Sequence, residues 1–158
     1  MEIKDSGTRR VFTSGAVRDI NEGKGRCDLL PLNIISRITH DEILADIYQY
    51  IYSGSGSFLL KAISTFSETY YQGLYTAFLE VSKHYQEGCE KYGERNWERG
   101  LPLHCYIDSA IRHYLKFRRG DDDEPHDRAF LWNLFGALWT QGKFPELCDL
   151  PFVEVIES

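Results

Sequence analysis

The stretch RRGDDDEPHDRAFLWNLFGALW, residues 118–139, decides the fold, because a dense charge run passes straight into an almost unbroken apolar segment. At about 100° per residue, Asp127 falls on the face of Leu131, Leu134 and Leu138, while His126 shares another face with Phe130, Asn133 and Ala137. A helix that is apolar nearly all round is buried. The spacing therefore predicts a buried helix over about 125–141. A carboxylate or amide carried inside with it needs a partner. Asp121, Asp122 and Asp123 read most simply as a solvated turn whose acids cap the helix and complement its dipole ahead of Pro125. Glu124 and Asp127 are carried toward the core, which makes them candidate ligands for a divalent cation.

Working outward, other helical patterns precede this one. Residues 104–118 place Ile107, Ile111, Tyr114 and Leu115 inward, and about 72–92 place Leu74, Phe78, Val81, Tyr85 and Tyr92 on one face. A pattern over 58–70 and another over 39–52, the latter with Asp41 as a cap, lie on either side of the break SGSGS at 53–57. Residues 1–33 carry no sustained period and read as an irregular Gly/Arg/Lys-rich arm that packs Leu29, Leu30 and Leu32. YGERNWERGLP (92–102) is a polar connection, and the chain closes on a loop. Strand signals are few. The expected fold is all-α: a bundle of four to five helices, whose faces can supply ligands to a common interior site.

Composition narrows the class. With 158 residues, 42% hydrophobic and 14% aromatic, the chain is long enough to bury a core as one domain. A net charge of −6 argues against a general nucleic-acid binder. Cys27, Cys89, Cys105 and Cys148 form no CxxC pair and no zinc pattern, MEIKDSGTRR has no apolar leader core, and no stretch reaches a membrane span. A cytoplasmic protein with reduced cysteines is the expectation.

The polar constellations leave alternatives open. Glu80, Glu87 and Glu90, with Lys83 and Lys91 among them, read by periodicity as a solvated face. Yet Glu87 and Glu90, at i and i+3, also match a two-carboxylate presentation to Mg²⁺ or Mn²⁺, which take oxygen ligands. Asp108 suits a ligand role or an ion pair with Arg112 at i+4. Lys24 and Arg26, between glycines and near Arg18, suit an arm closing over phosphates, although GKGR is not a P-loop. Lys91, Arg95 and Arg99 form a second basic group beside Trp97, whose ring serves either to stack on a base or to anchor the core. Two His-Asp pairs, His40-Asp41 and His126-Asp127, raise an HD-type triphosphohydrolase, with His104 or His113 and Asp149 as further ligands. A helical protein that binds a nucleotide or a partner without turnover is a third reading.

Three blocks carry a resemblance. GAVRDxxxGKGRxDLLP (15–31), HYxEGxxKYGERNWERGxPLxxYIDSAIRHY (84–114) and GDxDEPHDxAxxWN (120–133) resemble, in this order, the phage dATP/dGTP diphosphohydrolases, MazG-like nucleotide pyrophosphohydrolases of the MazZ type. The segment 41–75 lies outside the blocks and looks like a helical insertion, ahead of core metal-binding helices over 76–141. The resemblance implies a MazG-like single domain over 1–158, forming a homodimer or homotetramer. It further implies cleavage of dGTP or dATP to the monophosphate and pyrophosphate, with two or three Mg²⁺ or Mn²⁺ ions per site, in phage nucleotide metabolism such as 2-aminoadenine DNA synthesis. On this basis Glu87 and Glu90 stand for the first metal-binding pair. No clean ExxD follows; Glu124 with Asp127, or Asp108, stand for the second. Glu87, Asp127 and Lys91 are the expected catalytic residues. Lys24, Arg26, Arg18, Arg95 and Arg112 are expected on the phosphates, and Asn96, Trp97 and Asn133 on base or sugar.

Overall fold

Six helices follow one another among the described residues: α1 (Leu32–Thr39), α2 (Glu42–Ser53), α3 (Gly56–Tyr70), α4 (Leu74–Tyr92), α5 (Leu103–Arg119) and α6 (His126–Lys143). The computed structural model describes residues 9–13, the backbone of 17–19, and residues 23–152. A short antiparallel ribbon, β1 (Arg9–Val11) with β2 (Val17–Asp19), precedes the helices and pairs Arg10 with Arg18. The fold is the all-α bundle that the periodicity predicts.

Local chemistry explains the boundaries. The Asp41 carboxylate accepts from the backbone N–H of Ile43 at 2.9 Å and Leu44 at 3.1 Å, which caps α2. Its other oxygen accepts from the Tyr114 hydroxyl at 2.5 Å and from Arg118 at 2.9 Å, so one carboxylate ties the start of α2 to α5. The break in SGSGS is shorter than expected. Gly54 turns left-handed (φ 71°) and α3 begins at Gly56. α5 ends in the same way at Gly120 (φ 95°), whose N–H bonds back to Lys116 and Phe117.

The core lies between α2, α3, α5 and α6. Ile47, Leu59, Phe66, Ile107, Ile111, Phe130, Leu131 and Leu134 are fully buried, each contributing on the order of 1.5–3 kcal/mol of transfer free energy. Phe66 sits at the centre, 4.8 Å from Phe130 and 5.3 Å from Phe117 between ring centroids. α5 and α6 approach closely because Gly136 has no side chain: a Cβ there would stand 2.8 Å from Cδ1 of Tyr106.

Three expectations need correcting. α1 begins at Leu32, inside what reads as an arm; only Leu32 is buried, whereas Leu29 is 70% exposed. Its inward line is short, Leu32 and Ser36, and too brief for a period to register. On α4 the buried line runs through Ala77, Val81 and His84, and Phe78 is outside. The larger ring attracts the assignment, but the small Ala77 occupies the packed position. Finally, no side chain caps α6: its N-cap is Pro125, which offers no side-chain acceptor, while Asp121 pairs with Arg119 and Asp123 with His126.

Candidate active site

The acids of the opening stretch meet α4 across one cleft. Gly120 reverses the chain after α5, and residues 121–125 bring Glu124 and Asp127 against the outer half of α4. On α4, Glu80, Lys83, Glu87 and Glu90 recur at helical spacing and share a face. The cleft between them is about 730 Å³ and is lined by Glu87, Glu90, Glu124, Asp127, His126 and Arg128, among others. Four of the five expected metal-binding carboxylates are therefore neighbours in one concavity.

Their partners differ. Glu87 Oε1 accepts from Arg128 Nη2 at 3.2 Å, while Glu87 Oε2 is buried without a hydrogen-bond partner. A buried carboxylate oxygen in that state is costly unless a cation reaches it. Asp127 Oδ2 accepts from the Tyr71 hydroxyl at 2.5 Å. Burial, and then this hydrogen bond, raise the Tyr71 pKa, so the phenol stays a neutral donor. Glu124 is buried, and Glu80 pairs with Lys83 at 2.8 Å.

His126 adds nitrogen donors. It is 1% exposed, its Nδ1 lies 2.9 Å from Nδ1 of His113, and its Nε2 lies 2.8 Å from Asp123 Oδ1.

Other expected residues stand elsewhere. Asp108 is buried in an ion pair with Arg112 at 2.6 Å and accepts from the Cys27 N–H, also at 2.6 Å; Arg112 further donates to the Gly25 carbonyl at 2.8 Å. Together they clasp the segment before α1 onto α5. In that segment Arg26 pairs with Asp28 at 2.7 Å and Lys24 is exposed, while the Arg18 side chain lies outside the described residues. Lys91 is half-buried in the last turn of α4, outside the cleft lining, and Arg95 pairs with Glu98. Trp97 packs edge-on against Tyr85 and Trp139 at 5.5 and 5.1 Å, with Asn96 beside it in the same turn. Asn133 is buried and donates to the Ala129 carbonyl. For the HD-type arrangement, Asp149 is engaged by His104 at 2.5 Å, and Asp41 caps α2.

Arg128 is the site residue that sequence reading passes over. A usable signal exists: an arginine in the first turn of a buried helix opposes the dipole and demands a carboxylate. His113, named from the sequence only as an alternative to His104 in the HD-type reading, is brought to His126 by the α5–α6 reversal.

The chain is a helical bundle whose cleft gathers carboxylates from two helices and the turn between α5 and α6, edged by Lys83 and Arg128. The chain belongs to the dATP/dGTP diphosphohydrolase family: the model of that family's N-terminal region matches residues 69–149, just over half of it and including every residue of the cleft lining. No curated protein and no solved structure matches the chain significantly. Among the described residues, no helix is long and apolar enough to cross a membrane, and none of the four cysteines is in a disulfide.

Proposed function

We propose that this chain hydrolyses a purine deoxynucleoside triphosphate, dGTP or dATP, to the monophosphate and pyrophosphate, with Mg²⁺ or Mn²⁺ held at the α4–α6 cleft. One observation carries the reading: Glu87, Glu90, Glu124 and Asp127 converge there, and the buried Glu87 Oε2 has no protein donor. That oxygen-rich donor set fits hard divalent cations. When bound, such ions supply charge neutralisation at the phosphates and an acidified water. The chain's own residues do the rest. Arg128 fixes the Glu87 carboxylate and adds a positive charge. Tyr71 holds Asp127 in place. Lys83, at the rim, and Lys91, one turn beyond Glu87, balance phosphate charge.

The reaction belongs, in this reading, to phage purine deoxynucleotide metabolism such as 2-aminoadenine DNA synthesis. Exposed Tyr75, Phe78 and Leu79 on α4 support self-association as a homodimer or homotetramer. The purified chain, given each dNTP and NTP with Mg²⁺ or Mn²⁺, should release pyrophosphate and dGMP or dAMP. Glu87→Gln should lower kcat by on the order of 10²-fold or more while the protein stays folded. Nucleoside with tripolyphosphate as the products would replace this reading by the HD-type one, and tight binding without turnover would make the chain a nucleotide-binding module.

A further inference from the structure

We infer that His113, His126 and Glu124 form a nitrogen-containing metal site that selects a first-row transition dication over Mg²⁺. One ligand atom from each residue lies within 4.8 Å of the other two. His126 and Glu124 are buried and His113 is half-buried, so the donors are held by packing.

The ring geometry supports coordination. The two Nδ1 atoms are 2.9 Å apart. Two donors in cis on a six-coordinate dication, with bonds of about 2.1 Å, stand about 3 Å apart. The opposite nitrogen of His126, Nε2, faces the Asp123 carboxylate at 2.8 Å. An ionised carboxylate only accepts, so Nε2 carries the proton and the Nδ1 lone pair points at His113. A carboxylate orienting a histidine from behind is the arrangement that supports metal-ligating imidazoles. Without an ion, the contact needs His113 to donate its Nδ1 proton. On binding, that proton passes through solvent to His113 Nε2, and both Nδ1 lone pairs turn to the ion.

A second trio, Asp121, Asp123 and His126, shares the same ring. Asp121, however, is taken up by Arg119, and Asp123 already accepts from Nε2. The His113 trio is therefore the better site. Imidazole nitrogens suit Fe²⁺, Ni²⁺, Cu²⁺ and Zn²⁺, whereas Mg²⁺ takes oxygen.

The inference rests on the cleft reading only in sharing Glu124 with it, and its test omits nucleotide. Chelator-stripped full-length chain is loaded with Cu²⁺ alone, a paramagnetic ion that prefers imidazole over carboxylate, and examined by pulsed electron paramagnetic resonance. Coupling to ¹⁴N is expected in the wild type, and its absence would overturn the site. In a parallel titration with Co²⁺ alone, His113→Ala should weaken binding at least tenfold and shift the visible band. Millimolar Mg²⁺ should not displace Co²⁺ from the wild type. Wild-type affinity in a folded His113→Ala would count against the site. Nitrogen coupling without dNTP hydrolysis would support the site and sink the hydrolase reading; hydrolysis without nitrogen coupling would do the reverse.

Discussion

The Tyr71 hydroxyl reaches Asp127 from outside α6 and donates to it at 2.5 Å, so the orientation of a cleft carboxylate depends on a residue from the α3–α4 connection. Tyr71→Phe removes that donor, at a cost of about 1 kcal/mol in urea unfolding. The half-saturating Mn²⁺ concentration for hydrolysis should rise while kcat at saturating Mn²⁺ is largely kept. An unchanged Mn²⁺ curve would show that Asp127 does not need the hydroxyl. At the far end of the bundle, Asp149 accepts from both the backbone and the ring of His104. The hydrogen bond to Asp149, and then the contact with Cys105, push the His104 pKa up to about 10. Burial opposes the Asp149 charge, but the His104 hydrogen bonds outweigh it and lower its pKa. His104, raised above its unfolded value of about 6.5, contributes in full below that value and loses its contribution as pH climbs to about 10. Asp149, being depressed, contributes above about pH 4 and loses it in acid. The stability gap between wild type and Asp149→Asn should thus be widest near pH 5–6.5 and close by about pH 10. Partial exposure of both side chains holds the gap to about 1 kcal/mol. Urea titrations across pH read it directly; a gap that widens above pH 8 would refute the ion pair. Among the residues lining the cleft, the inward course of Glu124 and Asp127 was legible because acids abut an apolar run. Glu87 was ambiguous until a second helix was known to face it.

Elements show why ambiguity of that kind persists. The i, i+4 spacing of Asp108 and Arg112 permits a surface pair or a ligand role, and the sequence of α5 alone does not decide between them. What decides their environment is the segment 25–27, which lies over them and places Gly25 and Cys27 within hydrogen-bond reach. Removing one member of a buried pair strands the other charge. Asp108→Ala should therefore destabilise the fold by about 3–5 kcal/mol in chemical denaturation. Mn²⁺ affinity of the folded fraction should be unchanged, since Asp108 lies outside the cleft lining. A loss of Mn²⁺ affinity with normal stability would return Asp108 to the ligand set. α2, α3, α5 and α6 were legible within a few residues, because each sustains an apolar line over three turns or more. α1 was not, being short and preceded by Pro31 and two exposed leucines.

On the scale of the molecule, charge is distributed unevenly. The chain carries −6 overall, and the cleft gathers Glu80, Glu87, Glu90, Glu124 and Asp127 against Lys83 and Arg128. These acids come from α4, from the α5–α6 turn and from the first turn of α6, with α4 far from the other two in sequence. Their convergence follows from the Gly120 reversal and the packing of α6, not from any local motif. Like charges held together in a folded cleft repel, and unfolding relieves that repulsion. An ion that binds only the folded state offsets it by RT ln(1 + [L]/Kd), about 2.7 kcal/mol at a hundredfold excess over Kd. For a chain of this size, that corresponds to a rise in Tm of roughly 5–10 °C. Saturating Mn²⁺ should produce a rise of that order in a thermal scan, and chelator should reverse it. The double variant Glu87→Gln/Glu90→Gln should gain much less from Mn²⁺, because two of the ion's expected carboxylate ligands are gone. If wild type and double variant respond equally to the ion, the carboxylates of α4 are not its ligands, and the cleft cannot be the catalytic centre in the form proposed.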